Sequence, residues 1–572
     1  MCNRSVISLL VVSALACGRG ETAHSGNADI ARIDVQAAER DRLAEMRDAR
    51  LWPEYGRDFT NQRFSPLDQI TAGNVNQLKL AWVNHSGIPH SSETNPIVIA
   101  GVMYFTTALN HVIALDARTG GKKWEYAYDY GGRTTADCCA TNNKGPTVYG
   151  GRVYMETIDA RLVALDATNG RELWRAQVGD NNKGYHMTGA PFVVDGRVIV
   201  GVSGGEQGCR CYVDAYDAND GHRLWRFYTV PSPEEGGWWG KWREQDEWGM
   251  SFHRDIAKEK ADSAKYADAW IHGGAPMWHH PAYDPATGLI YLNVGNPAPD
   301  LEGAIRPGDN LYSDAIVAID PRFGKLRWYY QEVAHDVWDY DATTPPVLVE
   351  VPDGSGRVVK AVAEAGKDGF VYVVDRLSGK PIRKSAAFVP FLNYMAVPES
   401  TGTVIAPGTL GGSDWSPTAY DPRTHYLFVD GSYQPFEYWV KHEELHEPAQ
   451  WWGGTVAAAP SGAYGLVSAV DLGTGKIAWQ TRFPKPMISG LLATAGGVVF
   501  TGSSDKHFVA LDAASGRQLW SFPTDAGVNA PPITYEIDGV QYVAVAATGL
   551  QTLNTPRGDE MLVFSLSTKP AQ

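Results

Sequence analysis

The chain has 572 residues, 44% of them hydrophobic, and it carries 65 acidic against 50 basic side chains, a formal net charge of −15. This acidic balance argues against a nucleic-acid partner, because binding to phosphate requires a basic surface. The 60 glycines, 34 prolines and 19 tryptophans indicate a globular protein that is rich in turns and strands and long enough to bury a large core.

The N-terminus has the pattern of an export signal. Arg4 precedes an apolar run at 6–16, which ends in small residues and is too short to span a membrane. We therefore predict a signal peptide at 1–16 and a periplasmic location. Cys17 follows directly, and Ala16-Cys17-Gly18 resembles a lipoprotein box, so a lipid anchor on Cys17 is an alternative outcome of export. No later run is apolar enough to form a transmembrane helix.

One sequence unit recurs along the rest of the chain. It reads ALDARTG at 114–120 and continues to Trp124, and it reads ALDATNG at 164–170 and continues to Trp174. Further copies run from Ala215 to Trp225, Ala318 to Trp328, Ala469 to Trp479 and Ala510 to Trp520. A copy at 373–379 has Ile382 near the place of the tryptophan, and a shorter remnant at 78–82 ends in Trp82. The count of units is then eight.

Each unit predicts two strands joined by a tight turn. The alternating apolar residues form the first strand, Asp-x-x-Thr/Ser-Gly forms the turn, and the tryptophan lies on the returning strand. A spacing of roughly 40 to 55 residues suits four-stranded blades. We predict an all-β fold, a single eight-bladed β-propeller of four-stranded antiparallel blades at 51–572 with the tryptophans packed between blades. A tether and a polar helix at 28–50 precede it, within residues 17–50.

Two segments resemble the signatures of the quinoprotein alcohol dehydrogenases. The first is WPEYGRD at 52–58 followed by QRFSPL at 62–67, and the second is GLLATAGGVVF at 490–500, so the likeness covers about 52–545. The resemblance implies an eight-bladed propeller that holds pyrroloquinoline quinone (PQQ) and a calcium or lanthanide ion on its axis. It also implies a dehydrogenase that oxidises the hydroxyl group of an alcohol, a polyol or a sugar.

The resemblance implies a ligand set for the ion. Glu206, Asn296 and Asp339 match the family's metal ligands, and carboxylate and amide oxygens are what a hard cation prefers. Asp341 stands where relatives that use lanthanides carry an additional aspartate, because a trivalent ion gains from another anionic ligand. The alternative for Asp341 is an acidic turn residue in solvent.

The resemblance also places the quinone. Its contacts match Glu93, Cys138, Cys139, Lys144, Thr188, Ser203, Gly204, Gly205, Trp278, Lys367, Asp414 and Trp415. Trp278, in GGAPMW at 273–278, would stack on one face of the flat cofactor. Two positions depart from the family: Lys144 stands where arginine is common and lacks its bidentate fork, and Asp414 stands where asparagine is frequent.

The cysteines allow more than one pairing. Relatives bridge two adjacent cysteines into a strained ring against the other quinone face, and Cys138 and Cys139 are adjacent. The alternative is a pair of separate bridges from these residues to Cys209 and Cys211. Relatives have no cysteine at the latter two positions.

The resemblance assigns the chemistry to two side chains. Asp339 would be the general base that accepts the proton of the substrate hydroxyl, with Asp336 as an alternative, and Lys367 would hydrogen-bond the reactive quinone oxygen. No Cys-x-x-Cys-His motif occurs in the sequence. We therefore expect a separate electron acceptor, such as a soluble cytochrome c or another periplasmic carrier.

The identity of the substrate and a rival function stay open. An insertion at 236–248 with four tryptophans could wall the mouth of the pocket with aromatic rings, or it could pack on itself. The rival function is a non-catalytic propeller that acts as an envelope assembly scaffold lipoprotein. A third possibility is a cofactor-free relative of the dehydrogenases, indicated by Lys144, Asp414 and the lack of a tryptophan at 546–550.

Overall fold

The computed structural model describes residues 31–131, 141–460 and 462–566. Strands dominate this part of the chain and form eight sheets built on four antiparallel strands each, together with a ninth sheet of three strands. The predicted signal peptide and Cys17 lie outside the described residues. Among the residues that are described, no helix is both long and apolar enough to cross a membrane.

We number the eight sheets along the chain. Sheet 1 consists of Ile97–Ile99, Val102–Thr106, His111–Asp116 and Lys122–Ala127. Sheet 2 consists of Thr147–Tyr149, Arg152–Thr157, Arg161–Asp166 and Glu172–Gln177. Sheet 3 consists of Phe192–Val194, Arg197–Gly201, Tyr212–Asp217 and Arg223–Tyr228. Sheet 4 consists of Ala282–Asp284, Leu289–Val294, Ala315–Asp320 and Lys325–Gln331. Sheet 5 consists of Val347–Pro352, Val358–Ala365, Val371–Asp375 and Pro381–Lys384. Sheet 6 consists of Ala419–Asp421, Tyr426–Tyr433, Tyr464–Asp471 and Lys476–Phe483.

The last two sheets use strands from the beginning of the chain. Sheet 7 consists of Leu491–Thr494, Val498–Ser503, His507–Asp512 and Gln518–Pro523, with the short strand Phe64–Ser65 added in parallel to the first of these. Sheet 8 consists of Ile533–Ile537, Val540–Ala547, Glu560–Ser565 and Lys79–His85. The ninth sheet, which we call the cap sheet, consists of Thr403–Ile405, Phe436–Val440 and Gly454–Ala458.

Helices are few and short. The α-helices are Val35–Arg47 and Ile256–Asp262, and the 3-10 turns are Val75–Gln77, Ala108–Asn110, Asn181–Lys183, Gly205–Gln207, Pro233–Glu235, Ala269–His272 and Gly303–Ile305. The predicted helix at 28–50 is therefore shorter than expected: the side chain of Asp34 caps its first turn, and Asp48 is extended and ends it. Within this helix, Arg42 is buried and pairs with Glu54 at 2.5 Å.

The predicted turn chemistry is present in the repeat. Oδ1 of Asp116 accepts hydrogen bonds from the backbone amides of Arg118 and Thr119 and from the Thr119 hydroxyl. Gly120 then adopts a φ of 73°, which an L-residue with a side chain rarely takes. The same aspartate-centred turn occurs at Asp166, Asp375, Asp471 and Asp512.

Six tryptophans of the repeat pack on a turn glycine of the following sheet, and Trp520 packs on Phe564 of sheet 8 instead. A Cβ on Gly170 would lie 2.5 Å from Cε3 of Trp124, and one on Gly120 would lie 2.6 Å from Cε3 of Trp82. The Trp124 indole also donates to the carbonyl of Ala167 at 3.1 Å. Each ring therefore joins two consecutive sheets, and the small glycine is what lets it approach.

The degenerate unit of sheet 5 differs from the prediction. Val373 pairs with Arg383 in the register that pairs Ala114 with Trp124 elsewhere, so Arg383 and not Ile382 takes the place of the tryptophan. Its guanidinium donates to the carbonyl of Leu472 at 2.5 Å, on the neighbouring sheet 6. A cation and a hydrogen bond replace the aromatic contact at this boundary.

Sheet 8 contacts both sheet 7 and sheet 1. It pairs a strand from near the beginning of the described chain, Lys79–His85, with Glu560–Ser565 from its end. Trp82 on the first of these strands packs on sheet 1, and Phe564 on the second lies 5.3 Å from the ring of Trp520 in sheet 7. The two ends of the domain are thereby fastened together.

Candidate active site

A cavity of about 430 Å³ collects most of the residues that the sequence singled out. The predicted residues that line it are Glu93, Lys144, Thr188, Ser203, Gly204, Glu206, Trp278, Asp339, Asp341, Lys367, Asp414 and Trp415. Gly205 and Asn296 are buried just behind this surface. Cys138 and Cys139 lie outside the described residues.

The segment that follows sheet 4 turns its acidic and aromatic side chains in opposite directions. The indole of Trp338 donates to the carbonyl of Ala396, and the hydroxyl of Tyr340 donates to the carbonyl of Pro407, both at 2.8 Å. Asp339, between them, has a φ of 64° and lines the cavity with Asp341. The buried aromatic rings anchor this irregular backbone and leave the two carboxylates facing inward.

Lys367 is the centre of the acidic side of the cavity. Its Nζ atom lies 2.6 Å from Oδ2 of Asp341, 3.1 Å from Oδ1 of Asp339 and 3.4 Å from Oδ1 of Asp414. The lysine sits on the turn after the strand Val358–Ala365, and the backbone of Gly412 presses against it. A Cβ on Gly412 would clash with the Lys367 carbonyl, so the approach of Asp414 to the lysine depends on a glycine at that position.

Negative charge exceeds positive charge at this end of the cavity. Burial, opposed by Lys367 and reinforced by Asp341, raises the pKa of Asp339 well above its usual range. Burial likewise raises the pKa of Asp414 to about 6, although Lys367 acts against the shift. One ammonium cannot neutralise this set of carboxylates, and carboxylates buried in excess are the usual surroundings of a metal ion.

Asp300 belongs to the same acidic group and was missed in the sequence. It is 0% exposed, and neither carboxylate oxygen accepts a hydrogen bond from any residue that the structure describes. Burial, together with the charges of Glu206 and Asp341, raises its pKa well above the usual range. Its position four residues after Asn296 was the available signal. The donor set around Asp300 fits a hard cation, which would supply the missing positive charge.

Asn296 connects two of the predicted ligand segments. Its backbone amide donates to Oδ1 of Asp341 at 2.7 Å. A Cβ on Gly205 would lie 3.4 Å from Oδ1 of Asn296, so the turn that carries Glu206 approaches closely. The three ligand-bearing segments therefore meet at one place, as a shared ion requires.

The opposite side of the cavity is aromatic and cationic. Nζ of Lys144 lies 2.7 Å from Oε2 of Glu93, 4.6 Å from the ring centre of Trp278 and 5.4 Å from that of Trp415. Asn142, which the sequence analysis did not select, donates to Oε1 of Glu93 at 3.1 Å. A flat ring beside a cation and several hydrogen-bonding groups fits a planar, anionic cofactor.

The geometry separates the two candidates for a general base. Asp336 is 0% exposed and accepts the backbone amides of Trp338 and Tyr340 at 2.8 and 2.9 Å. Its carboxylate is thus occupied in holding the segment, and it does not line the cavity. Asp339 lines the cavity and contacts Lys367, so it is the carboxylate that a substrate can reach.

An apolar wall comes from a part of the chain that the sequence analysis did not select. The cap sheet contributes Phe436, Val456, Ala457 and Ala458, and its connecting loop contributes Trp452. Two strands of the cap sheet are inserted between the second and third strands of sheet 6, and the third, Thr403–Ile405, lies in the connection between sheets 5 and 6, where no repeat signal exists to reveal them.

The tryptophan-rich insertion at 236–248 does not wall the cavity. Of the two alternatives, it packs on itself and on the loop after residue 307: Trp238 is fully buried, and its carbonyl accepts the amide of Leu311 at 3.1 Å. The rings of Trp239 and Trp242 stack 5.9 Å apart. None of these residues lines the cavity.

Cys209 and Cys211 form a disulfide with each other. The alternative of two separate bridges from these residues to Cys138 and Cys139 is therefore wrong. The bridge follows the turn that carries Glu206, a location that no repeat or family pattern indicated.

Comparisons with known proteins agree with the geometry. The family model described as "PQQ: Glucose/ethanol/alcohol dehydrogenase, beta-propeller domain" matches residues 52–388 and 383–543. The quinoprotein alcohol dehydrogenase PedH of Pseudomonas putida is 34% identical over 86% of this chain and 85% of its own length. The quinohemoprotein alcohol dehydrogenase of Comamonas testosteroni is 36% identical over 86% of this chain and 72% of its own length. The solved structure of a europium-containing methanol dehydrogenase superposes on this chain with a TM-score of 0.82 and 30% sequence identity. The superposition covers 92% of this chain and 100% of the other chain.

Proposed function

Since the chain belongs to the family of PQQ-dependent alcohol dehydrogenases, oxidoreductases that act on alcohol CH–OH groups, we propose that it oxidises alcohols with an apolar substituent in the periplasm. The observation that carries this proposal is the meeting of Asp339 and Lys367, 3.1 Å apart, at the acidic end of a cavity whose other walls are aromatic and apolar. A base, a cation and an apolar pocket are what this oxidation requires.

Residues of the cavity would hold both cofactors. Glu206, Asn296, Asp339 and Asp341 would bind a calcium or lanthanide ion through oxygen atoms, and Asp300 would add negative charge behind them. The quinone would lie against Trp278, with Glu93, Lys144, Thr188, Ser203, Gly204, Gly205, Asp414 and Trp415 around it and Cys138 and Cys139 bridged on its other face. When bound, PQQ supplies the acceptor for two electrons and the ion supplies a Lewis acid.

Asp339 acts as the general base. It accepts the proton of the substrate hydroxyl at Oδ2, the oxygen that Lys367 does not contact. The Lys367 ammonium keeps the carboxylate oriented through Oδ1, and it would hydrogen-bond the reactive oxygen of a bound quinone and stabilise negative charge there. Because both groups are buried, water does not weaken either interaction.

The wall of the cavity selects the substrate. Phe436, Trp452 and Val456 present apolar surface, whereas Gln434 and Thr409 are the main uncharged polar groups on that side. A sugar or polyol would leave most of its hydroxyl groups without hydrogen-bond partners against such a wall, at a cost for each group. A primary or secondary alcohol with an alkyl or aryl substituent fits it.

The remaining parts of the proposal concern architecture and electron transfer. We interpret the eight four-stranded sheets as the eight blades of one propeller. The export signal supports a periplasmic location, and a lipid anchor on Cys17 is the alternative outcome of export. Electrons then pass to a separate acceptor such as a soluble cytochrome c, since the sequence carries no Cys-x-x-Cys-His motif.

The test is reconstitution of the purified protein with PQQ and either Ca²⁺ or La³⁺. Reduction of a dye acceptor is measured with ethanol, 1-butanol, 2-phenylethanol, glycerol and glucose. We expect turnover that requires both the quinone and an ion and that prefers the apolar alcohols. Asp339→Asn should bind PQQ but not turn over.

Other outcomes of that test separate the alternatives. Preference for glucose or glycerol would overturn the substrate assignment and leave the enzyme assignment intact. Failure to bind PQQ with any ion would overturn the enzyme assignment and favour a cofactor-free relative or an envelope scaffold.

A further inference from the structure

The turn that carries Glu206 is rich in glycine. Gly204 and Gly208 adopt left-handed φ angles of 111° and 67°, and the single 3-10 turn Gly205–Gln207 lies between them. Glycine allows this path, but it also gives the segment more alternative conformations than other residues would. The position of a side chain carried on such a turn therefore depends on contacts that hold the turn, among them the bond from the amide of Trp451 to the carbonyl of Glu206 and the contacts at its ends.

The Cys209–Cys211 disulfide holds one of those ends. Both cysteines are buried, at 2% and 0% exposure, in the apolar cluster that also contains Met187 and Val202. Cys211 directly precedes the strand Tyr212–Asp217, and its carbonyl accepts the amide of Thr229 at 3.1 Å. The bridge therefore fastens the end of the turn to sheet 3.

Backbone hydrogen bonds connect the same bridge to a second segment. The amide of Cys209 donates to the carbonyl of Gly204 at 3.2 Å, which closes the turn on itself. The amide of Gly274 donates to the carbonyl of Cys209 at 2.8 Å, and the carbonyl of Gly274 accepts the amide of Cys211 at 3.3 Å. Gly274 is thus held on both sides by the two bridged residues.

Gly274 leads to two further parts of the site. Trp278 lies four residues later in the same segment. The neighbouring Ala275 donates its amide to the carbonyl of Asn296 at 2.8 Å. The short disulfide ring therefore connects the Glu206 turn directly to the segment that carries Trp278 and, through Ala275, to the segment that carries Asn296.

We propose that the Cys209–Cys211 disulfide is a positioning element of the ion site. It keeps Glu206 and Asn296 at the mutual spacing that ion binding needs, without contacting the ion. The proposal rests on the ion site described under the proposed function. Groups that orient ligands from behind in this way contribute about 10- to 100-fold to metal affinity in other proteins.

The test is a titration of the ion-free full chain with Tb³⁺, followed by terbium luminescence. We expect the double variant Cys209→Ala/Cys211→Ala to bind Tb³⁺ about 10- to 100-fold more weakly than the wild type. The luminescence lifetime in H₂O and D₂O should also show more water molecules on the bound ion, because a displaced Glu206 leaves coordination positions to solvent.

A matched control separates positioning from stability. Tyr154 lies in the same apolar cluster and donates to the carbonyl of Ala218 at 2.9 Å, away from the turn. Tyr154→Phe should lower the melting temperature and leave both Tb³⁺ affinity and hydration unchanged. If the double variant does not fold, Cys209→Ala alone, which breaks the bridge but keeps Cys211, is measured in the same way.

The outcomes distinguish the two proposals. Unchanged Tb³⁺ affinity and hydration in a folded variant that lacks the bridge would show a merely structural disulfide and overturn the positioning role. If neither the wild type nor Glu206→Gln binds Tb³⁺, the ion site itself is wrong, and the positioning role is lost with it. If the wild type binds Tb³⁺ and Glu206→Gln does not, the ion site is supported, whatever result the disulfide variant gives.

Discussion

Lys367 and Asp341 form the shortest of the three ion pairs of Lys367 at the acidic end of the cavity, with Nζ and Oδ2 2.6 Å apart. The other oxygen of Asp341 accepts the amide of Asn296 at 2.7 Å. The carboxylate is therefore oriented from both sides and points into the site. This geometry does not agree with Asp341 as an acidic turn residue in solvent, since its side chain is buried.

The first prediction concerns ion preference. Asp341→Asn removes one negative charge and keeps the shape of the side chain, so it should weaken La³⁺ binding more than Ca²⁺ binding, because attraction scales with the charge of the ion. We expect the ratio of the two affinities to fall by about tenfold or more, on the scale of about 1.4 kcal/mol. Competition with Tb³⁺ measures it, and Asp41→Asn, on an exposed surface, is the control. An unchanged ratio would remove Asp341 from the ligand set.

The second prediction separates catalysis from ion binding at Lys367. Lys367→Met should lower kcat by about 10²- to 10³-fold, the usual loss for one donor to a developing negative charge. It should not weaken Ca²⁺ binding, because removal of a cation makes the site more negative. Steady-state kinetics and calorimetry measure the two effects, and Lys325→Met on the surface is the control. Parallel loss of ion binding and kcat would indicate that the lysine supports the fold of the site instead.

The third prediction tests the apolar wall. Phe436→Ala and Trp452→Ala should each lower kcat/KM for 2-phenylethanol by about 10- to 200-fold, the range for lost apolar contacts in a pocket, and should change ethanol turnover far less. The matched control is Trp248→Ala, which removes an exposed ring of the insertion that lies outside the cavity. Equal losses for both alcohols in the wall variants would contradict selection by this surface.

The fourth prediction concerns pH and stability. Burial raises the pKa of Glu156 to about 8, against the effect of the Gly189 amide that it accepts at 2.9 Å. At pH values between about 4.5, the pKa of Glu156 in the unfolded chain, and about 8, Glu156 keeps a proton in the folded protein that it releases in the unfolded chain. The free energy of unfolding therefore falls as pH rises through this range, by up to about 1.4 kcal/mol per pH unit.

Glu156→Gln should abolish this contribution. The variant should gain stability relative to the wild type between pH 5 and pH 8, measured by chemical denaturation at about four pH values across the range. Glu350→Gln, an exposed residue, is the control. A constant difference between wild type and Glu156→Gln over that range would show that Glu156 titrates alike in both states.

The fifth prediction tests the packing of the repeat. Gly170 and Gly539 have nearly equal φ angles of 72° and 73°, but a Cβ on Gly170 would lie 2.5 Å from the Trp124 ring, whereas one on Gly539 would meet nothing within 4 Å. Gly170→Ala should therefore cost about 1–3 kcal/mol more than Gly539→Ala, since only the former adds overpacking to backbone strain. Thermal unfolding measures the difference. Equal costs would mean that the ring moves away without penalty.

The sequence by itself determined the repeat, because its signals are local. An aspartate that accepts amides two and three residues ahead, and a glycine with positive φ, define the turn within five residues, as the turn at Asp116 shows. The likeness to a family then selected Asp339, Asp341 and Lys367, which the structure brings together at one end of a cavity.

Only the tertiary structure decided what depends on contacts between distant segments. The apolar wall from the cap sheet and the replacement of a tryptophan by Arg383 carry no local pattern, and the accumulation of charge around Asp300 depends on Glu206 and Asp341 from other segments. These three features arise where distant parts of the chain meet, so their chemistry depends on neighbours that lie far away in the sequence. The pairing of Cys209 with Cys211 is local, two residues apart, but the sequence allowed other pairings and only the structure selected this one. A repeat specifies each unit and its packing on the next unit, whereas the insertions and the centre of the ring are shaped by all units together.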